Sequence, residues 1–144
     1  MGSSSLNPVF VGGTGRSGST IVGDLLDHHP AITMTLPSEV RFITGNNGIA
    51  DALAKAGKPA GLKAAELAVD RIHNRWFFRD ENSGLHTSMS QEYVTETTEK
   101  YLAHFENSPQ QASQVLVYSI MEKVALGCDA ERWVDTTPAN ARKA

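Results

Sequence analysis

A short apolar segment runs directly into a glycine-rich stretch near the start of the chain. Residues 8–11 read Pro-Val-Phe-Val, and residues 12–20 read Gly-Gly-Thr-Gly-Arg-Ser-Gly-Ser-Thr. From Ser17 the pattern becomes helical, and four apolar residues share one face before Pro30 ends it: Ile21, Val22, Leu25 and Leu26. A buried strand, a glycine turn and a helix in this order direct backbone N–H groups at an anion. The sequence therefore predicts a phosphate-binding loop.

Two phosphate-binding templates fit the same letters. Gly13-x-Gly15-x-x-Gly18 matches the dinucleotide fingerprint, with Glu39 at about the distance of a ribose-binding acid. Gly13 and Gly18 followed by Ser19-Thr20 match the P-loop, with serine in place of its lysine. The loop also carries one guanidinium and four hydroxyls, from Arg16, Thr14, Ser17, Ser19 and Thr20. These groups suit a tetrahedral oxyanion and favour the P-loop, whereas the missing lysine argues against a metal-bound triphosphate.

The rest of the chain predicts few strands and many helices. Residues 31–36 alternate at period two, and residues 132–136 read as a returning strand. Ala64, Ala68, Ile72 and Trp76 fall at the i, i+4 spacing of a buried helix face. The expected fold class is α/β, a P-loop-type three-layer α/β/α arrangement with a short parallel sheet and a large helical insertion.

Three local signals mark the expected limits within the helical part. Ser88 and Gln91 form a capping-box pattern before one helix. Ser108-Pro109 gives a second helix start, and that helix should end at Gly127. The polar residues 80–90 are expected to be a solvated loop, which could be a mobile lid.

Composition excludes several classes of protein. The 144 residues fit one domain, 1–144, and the formal net charge of −3 leaves no general basic footprint for nucleic acid. One cysteine, Cys128, rules out an internal disulfide, and no run of 18 apolar residues suggests a membrane span. Three histidines are scattered without ligand spacing, so we expect no metal: His73, His86 and His104. Residues 1–5 lack the regions of a signal peptide, so a cytoplasmic location is expected.

The loop resembles a known family. Arg16-Ser17-Gly18-Ser19-Thr20 is similar to the 5′-phosphosulfate loop of sulfotransferases that use 3′-phosphoadenosine 5′-phosphosulfate (PAPS), which reads Arg/Lys-Ser-Gly-Ser/Thr-Thr. Three weaker matches follow in the family's order. Residues 25–30 resemble its LLDxHP segment, residues 38–42 its EVxFF segment, and residues 133–140 its EK(S/T)P segment. The resemblance spans residues 8–140.

The resemblance implies sulfuryl transfer from PAPS to a hydroxyl or amine on a small-molecule or glycan acceptor, without a metal. Arg16 would be catalytic, bridging phosphate and sulfuryl oxygens, and Glu39 would be the catalytic base. The donor would be bound by the loop residues, Thr14, Gly15, Arg16, Ser17, Gly18, Ser19 and Thr20.

The chain departs from the family pattern at two places. Asp135 and Thr136 stand where the family has glutamate and lysine. No segment resembling the family's 3′-phosphate motif RDPRDxxxS follows Thr137, and Arg79-Asp80 precedes it and reads as surface. We therefore expect the N-terminal part of a sulfotransferase domain, with association of a second copy left open. Two alternatives remain: another P-loop phosphotransferase, such as a small-molecule kinase, and a non-catalytic nucleotide-binding module.

Two further groups have alternative interpretations. His28-His29 could serve the acceptor, but a helix C-terminus is favoured for them. Residues 76–78, Trp-Phe-Phe, could line an acceptor groove, but consecutive helical residues cannot all face one side, so core packing is favoured.

Overall fold

A short parallel sheet forms the centre of the fold. The computed structural model describes residues 8–13, 18–34 and 41–136. Three strands occur in them, β1 (Val9–Phe10), β2 (Ile32–Met34) and β3 (Arg132–Asp135). The strand order is β1-β3-β2, and both pairings are parallel. All three strands lie where the apolar patterns predict them, which confirms a mixed α/β fold.

Helices cover both faces of this sheet. Helix α1 (Ser19–Asp27) follows β1, and the long helix α5 (Pro109–Gly127) precedes β3. Successive strand side chains point to opposite faces. Thr136, directly after β3, contacts α1, whereas Trp133 faces Tyr118 of α5 with ring centroids 6.5 Å apart. The three-layer arrangement is therefore confirmed.

A block of helices is inserted between β2 and β3. It contains α2 (Ile49–Ala54), α3 (Gly61–Arg71), a π-helical turn (Ile72–Trp76), a 3₁₀ turn (Leu85–Thr87), α4 (Gln91–Phe105) and α5. Of the four residues predicted to form a buried face, Ala68, Ile72 and Trp76 are buried and Ala64 is half-buried. They join one hydrophobic core that extends through α4 and α5 to Trp133. The predicted helical insertion is thus confirmed.

A change of hydrogen-bond pattern ends α3. The Phe77 N–H donates to the Ile72 carbonyl at 2.8 Å, five residues back, which opens the helix by one residue. His73 lies in this turn, and its Nε2 lies 2.9 Å from the Thr98 hydroxyl. That hydroxyl donates to a backbone carbonyl of α4, so His73 Nε2 is the donor, and His73 Nδ1 accepts from the Gln91 amide at 2.9 Å. The two hydrogen bonds of His73 therefore connect the π-helical turn to α4.

The start of α4 differs from the prediction. Ser90, not Ser88, caps the helix, because the Ser90 hydroxyl accepts from the Tyr93 N–H at 3.2 Å. Ser88 directly follows the 3₁₀ turn, and the Met89 N–H donates to the Leu85 carbonyl at 3.0 Å. The prediction of a capping box at Ser88 is therefore wrong, because the helix cap lies two residues later, at Ser90. For α5, the start at Pro109 and the end at Gly127 are confirmed.

The expected solvated loop at residues 80–90 is exposed only in part. Leu85 and Met89 are buried in the core. Asp80 accepts from the Ser83 hydroxyl at 2.6 Å and from the Asn82 N–H at 2.9 Å. These hydrogen bonds hold the pKa of Asp80 below its usual value. The segment is exposed at Asp80 but anchored by apolar side chains farther on.

No helix within residues 8–13, 18–34 and 41–136 combines the length and apolar character needed to cross a membrane.

Candidate functional site

The glycine-rich stretch begins at the carboxyl end of β1. The Val11 N–H donates to the Asp135 carbonyl of β3 at 2.9 Å, so the chain leaves the sheet beside the end of β3. Gly18 then has φ +87°, a left-handed conformation that glycine adopts without strain. The loop thus starts at the end of the sheet and ends in a turn that requires glycine. Thr14, Gly15, Arg16 and Ser17, predicted to bind the donor, lie outside the described residues.

The N-terminus of α1 follows Gly18 directly. The first helical bond joins the Val22 N–H to the Gly18 carbonyl at 3.1 Å. The N–H groups of the preceding residues, including Ser19 and Thr20, therefore have no acceptor within the helix. No acidic residue occurs in the first turn of α1. This helix end is suited to an anion, because its partial positive charge meets no acidic side chain within the first turn of α1.

A second glycine holds α1 close to the sheet. A Cβ atom at Gly23 would clash with the Thr136 methyl group and would lie 2.7 Å from the sulfur of Met34. No side chain fits between α1 and the ends of β2 and β3. Gly23 therefore sets the distance between α1 and the carboxyl ends of the strands. Parallel α/β sheets bind ligands at this edge, which we call the carboxyl edge.

Two polar residues complete this edge. Asp135 ends β3 opposite Phe10 of β1, and Thr136 follows it. Both are fully buried. The sequence analysis did not include Asp135 among the candidate site residues. An aspartate that closes an apolar strand is the available signal, but its position beside β1 depends on a pairing between residues distant in sequence.

The predicted base, Glu39, lies outside the described residues, and the described chain resumes at Arg41. Phe42, Ile43 and Thr44 are buried. The Ile49 N–H donates to the Phe42 carbonyl at 2.8 Å, which ties this turn to the start of α2. The segment that follows position 40 is thus anchored in the core.

The paired histidines lie at the other end of α1. The His28 Nδ1 donates to the Asp24 carbonyl at 2.7 Å, and the His29 Nδ1 accepts from the Ala31 N–H at 3.2 Å. Nine helical residues separate them from Gly18, about 13 Å along the axis. The favoured interpretation, a helix C-terminus, agrees with this geometry, and a role beside the loop does not.

The aromatic run at 76–78 is divided between core and surface. Trp76 is buried, Phe77 is half-buried, and Phe78 is 57% exposed and contacts His86 with ring centroids 4.7 Å apart and planes tilted by 40°. Arg79 lies 5.0 Å from the centre of the Trp76 ring, and Asp80 is exposed. The core interpretation holds for Trp76, and Arg79-Asp80 lies at the surface as expected.

Across the described segments, no group of three or more His, Cys, Asp or Glu side chains is placed to hold a metal ion.

Comparison with known proteins gives one match. The model of a family described as the sulfotransferase family matches residues 8–144. No curated protein and no solved structure matches the chain. The match contains the strand, the glycine turn, α1 and the end of β3, the parts that form the carboxyl edge of the sheet. It agrees with the resemblance seen at residues 16–20, and the chain belongs to the sulfotransferase family.

Proposed function

We propose that this chain transfers a sulfuryl group from PAPS to a hydroxyl or amine of a small-molecule or glycan acceptor. The observation that carries the proposal is the left-handed Gly18, followed directly by a helix N-terminus without acidic residues. Such a turn suits a single terminal phosphate, and the residues around it match the phosphosulfate loop of the family. Sulfuryl transfer at the level of the family follows from the match over residues 8–144.

The loop residues have separate roles in this proposal. Backbone N–H groups at Gly18, Ser19 and Thr20 bind the 5′-phosphate of the donor, and Thr14, Gly15 and Ser17 complete the cradle. The Arg16 guanidinium spans the phosphate and the sulfuryl group. Negative charge develops on the bridging oxygen as the S–O bond breaks, so a fixed cation at that oxygen stabilises the transition state more than the ground state.

Glu39 acts as the general base. The acceptor oxygen or nitrogen forms a bond to sulfur while the bond between sulfur and the bridging oxygen breaks. Glu39 takes the acceptor's proton, and adenosine 3′,5′-bisphosphate leaves with the electron pair. A Glu39→Gln variant should therefore keep donor binding and lose transfer. Full activity in that variant would remove Glu39 from the mechanism.

A second function has one specific observation in its favour. Asp135 ends the strand next to β1, where P-loop phosphotransferases hold the aspartate that binds Mg²⁺. A small-molecule kinase would use that carboxylate together with a hydroxyl of the loop. The serine at position 19, where such kinases have lysine, weighs against it.

The third candidate is a nucleotide-binding module without catalysis. It rests on the turn at Gly18 and the helix N-terminus behind it, which can bind a phosphate without any catalytic group. A single domain over residues 1–144 and a cytoplasmic location both stay predictions.

Calorimetric titration with three nucleotides separates the candidates. Adenosine 3′,5′-bisphosphate, ATP with Mg²⁺, and NAD are titrated into the same preparation. The proposal predicts binding of the bisphosphate and much weaker binding of the other two. Binding of ATP with Mg²⁺ alone would support the kinase. Bisphosphate binding without turnover of PAPS against alcohol and amine acceptors would support the module.

A further inference from the structure

A cavity lies between α4 and α5 in the helical block. Its volume is about 360 Å³, which is within the range of small-molecule binding sites. The second half of α4 and the first half of α5 line it. Helix α1 contacts Thr136 on one face of the sheet, whereas α5 contacts Trp133 on the other. The sheet therefore lies between this cavity and the N-terminus of α1.

The wall of the cavity is apolar. On α5, Ala112, Val115 and Leu116 lie at the three- and four-residue spacing of one helix face, and the Tyr101 side chain lines the cavity from α4. Tyr101, Ala112 and Leu116 are buried, but Val115 is 52% exposed. The apolar wall thus runs from the core to the surface at Val115. A wall of this kind suits an aromatic or branched aliphatic group.

Two basic side chains border the cavity on α4. Lys100 and His104 lie one turn apart, and none of the described lining residues is acidic. Lys100 contacts Glu96, outside the cavity, at 2.8 Å, but both side chains are about two-thirds exposed. An exposed pair of this kind contributes little free energy, and the ammonium has three donors, so Lys100 can also bind a ligand. The His104 imidazole can donate a hydrogen bond in either protonation state.

The first turn of α5 supplies donors on the opposite side of the cavity. Its first helical bond joins the Ala112 N–H to the Ser108 carbonyl at 2.8 Å, so the Gln111 N–H has no acceptor within the helix. The Ser108 side chain does not cap this end, and the first turn contains no acidic residue. Ser108 and Gln111 both line the cavity. Hydrogen-bond donors therefore face the cavity from α4 and from α5.

We propose that this cavity is a second ligand site, which binds a small organic acid with one carboxylate and an aromatic or branched aliphatic body. The body packs on Val115 and Leu116, and the carboxylate lies between Lys100 and the first turn of α5. One ammonium and one helix end provide for a single negative charge. The apolar wall excludes a ligand that is charged throughout, such as a nucleotide, because its phosphates would lose water there without gaining partners.

Two ligands with the same ring system test the class of compound. The ¹⁵N-labelled chain is titrated with 1-naphthoate and with uncharged 1-naphthalenemethanol, and backbone amide shifts are followed by NMR. The largest shifts are expected in residues 97–104 and 108–116. The acid should bind roughly three- to tenfold more tightly than the alcohol, because only the acid can accept charge-assisted hydrogen bonds. Equal affinities, shifts concentrated elsewhere, or no binding of the acid would overturn the proposal.

Paired lysine variants test the position of the carboxylate. Lys100→Met removes the ammonium at the cavity and should weaken binding of 1-naphthoate roughly three- to tenfold, with little effect on the alcohol. Lys123→Met is the matched control, because Lys123 is an exposed lysine of α5 that lies over the Tyr93 ring, 5.0 Å from its centre. It should bind both ligands as wild type does. Equal loss of naphthoate binding in the two variants would contradict a contact with Lys100.

Paired tryptophan variants test the cavity itself. Val115→Trp fills the cavity from its exposed wall and should weaken binding of both ligands roughly tenfold or more. Leu126→Trp makes an indole at another exposed apolar position of the same helix and should bind normally. Undiminished binding by Val115→Trp would place the site elsewhere. Adenosine 3′,5′-bisphosphate should bind equally to wild type and Val115→Trp. Because naphthoate binding is measured directly, its result does not depend on the proposed function.

Discussion

Gly18 and Gly57 have similar backbone conformations at different places in the chain. Their φ angles are +87° and +75°, and among the described residues no atom beyond the immediate neighbours would lie within 4 Å of a Cβ atom added at either position. Alanine at each site should therefore lower the free energy of unfolding by about 1 kcal/mol, through left-handed strain alone. Urea denaturation measures this cost.

The two alanine variants should differ in their affinity for adenosine 3′,5′-bisphosphate. Gly18→Ala should weaken binding of adenosine 3′,5′-bisphosphate, since it disturbs the turn before α1, whereas Gly57→Ala should bind as wild type does. Equal binding by the two variants would show that the conformation at Gly18 does not matter for the ligand.

Gly23 tests the close contact between α1 and the sheet. A Cβ atom there meets Thr136 and Met34, so Gly23→Ala must move the helix and should cost about 1–3 kcal/mol of stability. Gly127→Ala is the matched control. Gly127 lies at the end of α5, and among the described residues no atom outside its chain neighbours and its own helix backbone would lie within 4 Å of an added Cβ. The stability of this variant should therefore be unchanged or slightly higher. Denaturation midpoints that fall equally in both variants would mean that α1 does not depend on this contact.

At the scale of elements, the start of α4 distinguishes Ser90, which caps the helix, from Ser88, which the sequence pattern suggested as the cap. Ser90→Ala should cost about 1 kcal/mol, because it removes the hydroxyl that accepts from the Tyr93 N–H. Ser88→Ala should change stability little, because the Ser88 hydroxyl does not cap the helix. Thermal or urea unfolding of the two variants compares them directly. A larger loss of stability from Ser88→Ala than from Ser90→Ala would contradict this assignment and support the capping box that the sequence pattern predicts at Ser88.

Local sequence signals predicted both ends of α5 but missed the start of α4 and the π-helical turn after α3. Pro109 and Gly127 bound α5 through conformational preferences of their own, so the sequence is sufficient there. The 3₁₀ turn before α4 depends on burial of Leu85 and Met89. The π-helical turn depends on His73 bonding to Thr98, 25 residues away. Tertiary contacts of this kind leave no local pattern in the chain.

At the scale of the whole molecule, the packing of α4 on α5 makes stability depend on pH through Tyr101. Burial raises the pKa of Tyr101 from 10.0 to about 12, and the neighbouring Ser113 opposes the shift without cancelling it. Above pH 10 the hydroxyl ionises in the unfolded chain before it does so in the folded one. Its contribution to stability is therefore complete below pH 10 and is lost as the pH rises toward 12.

The loss attributable to Tyr101 should reach about 1 kcal/mol by about pH 11. Urea unfolding of wild type and Tyr101→Phe at neutral pH and at about pH 11 isolates it, because the other titrating groups are common to both chains. A difference between the two chains that stays constant with pH would contradict the raised pKa.

The sequence predicted more of the loop than of its surroundings. The spacing of Gly13 and Gly18 indicated a turn at the carboxyl end of β1, and the left-handed Gly18 agrees with it. Asp135 was missed, because its place beside Phe10 arises from strand pairing across more than a hundred residues. The catalytic roles of Arg16 and Glu39 stay predictions.

The most direct test of the proposed function is the contribution of Arg16 to donor binding. Adenosine 3′,5′-bisphosphate is titrated calorimetrically into wild type, Arg16→Ala and Arg75→Ala, the last removing an exposed arginine that lies over Trp76 in the helical block. If the loop binds the 5′-phosphate as proposed, wild type and Arg75→Ala bind equally, and Arg16→Ala binds roughly tenfold or more weakly. Equal binding by all three would contradict the account.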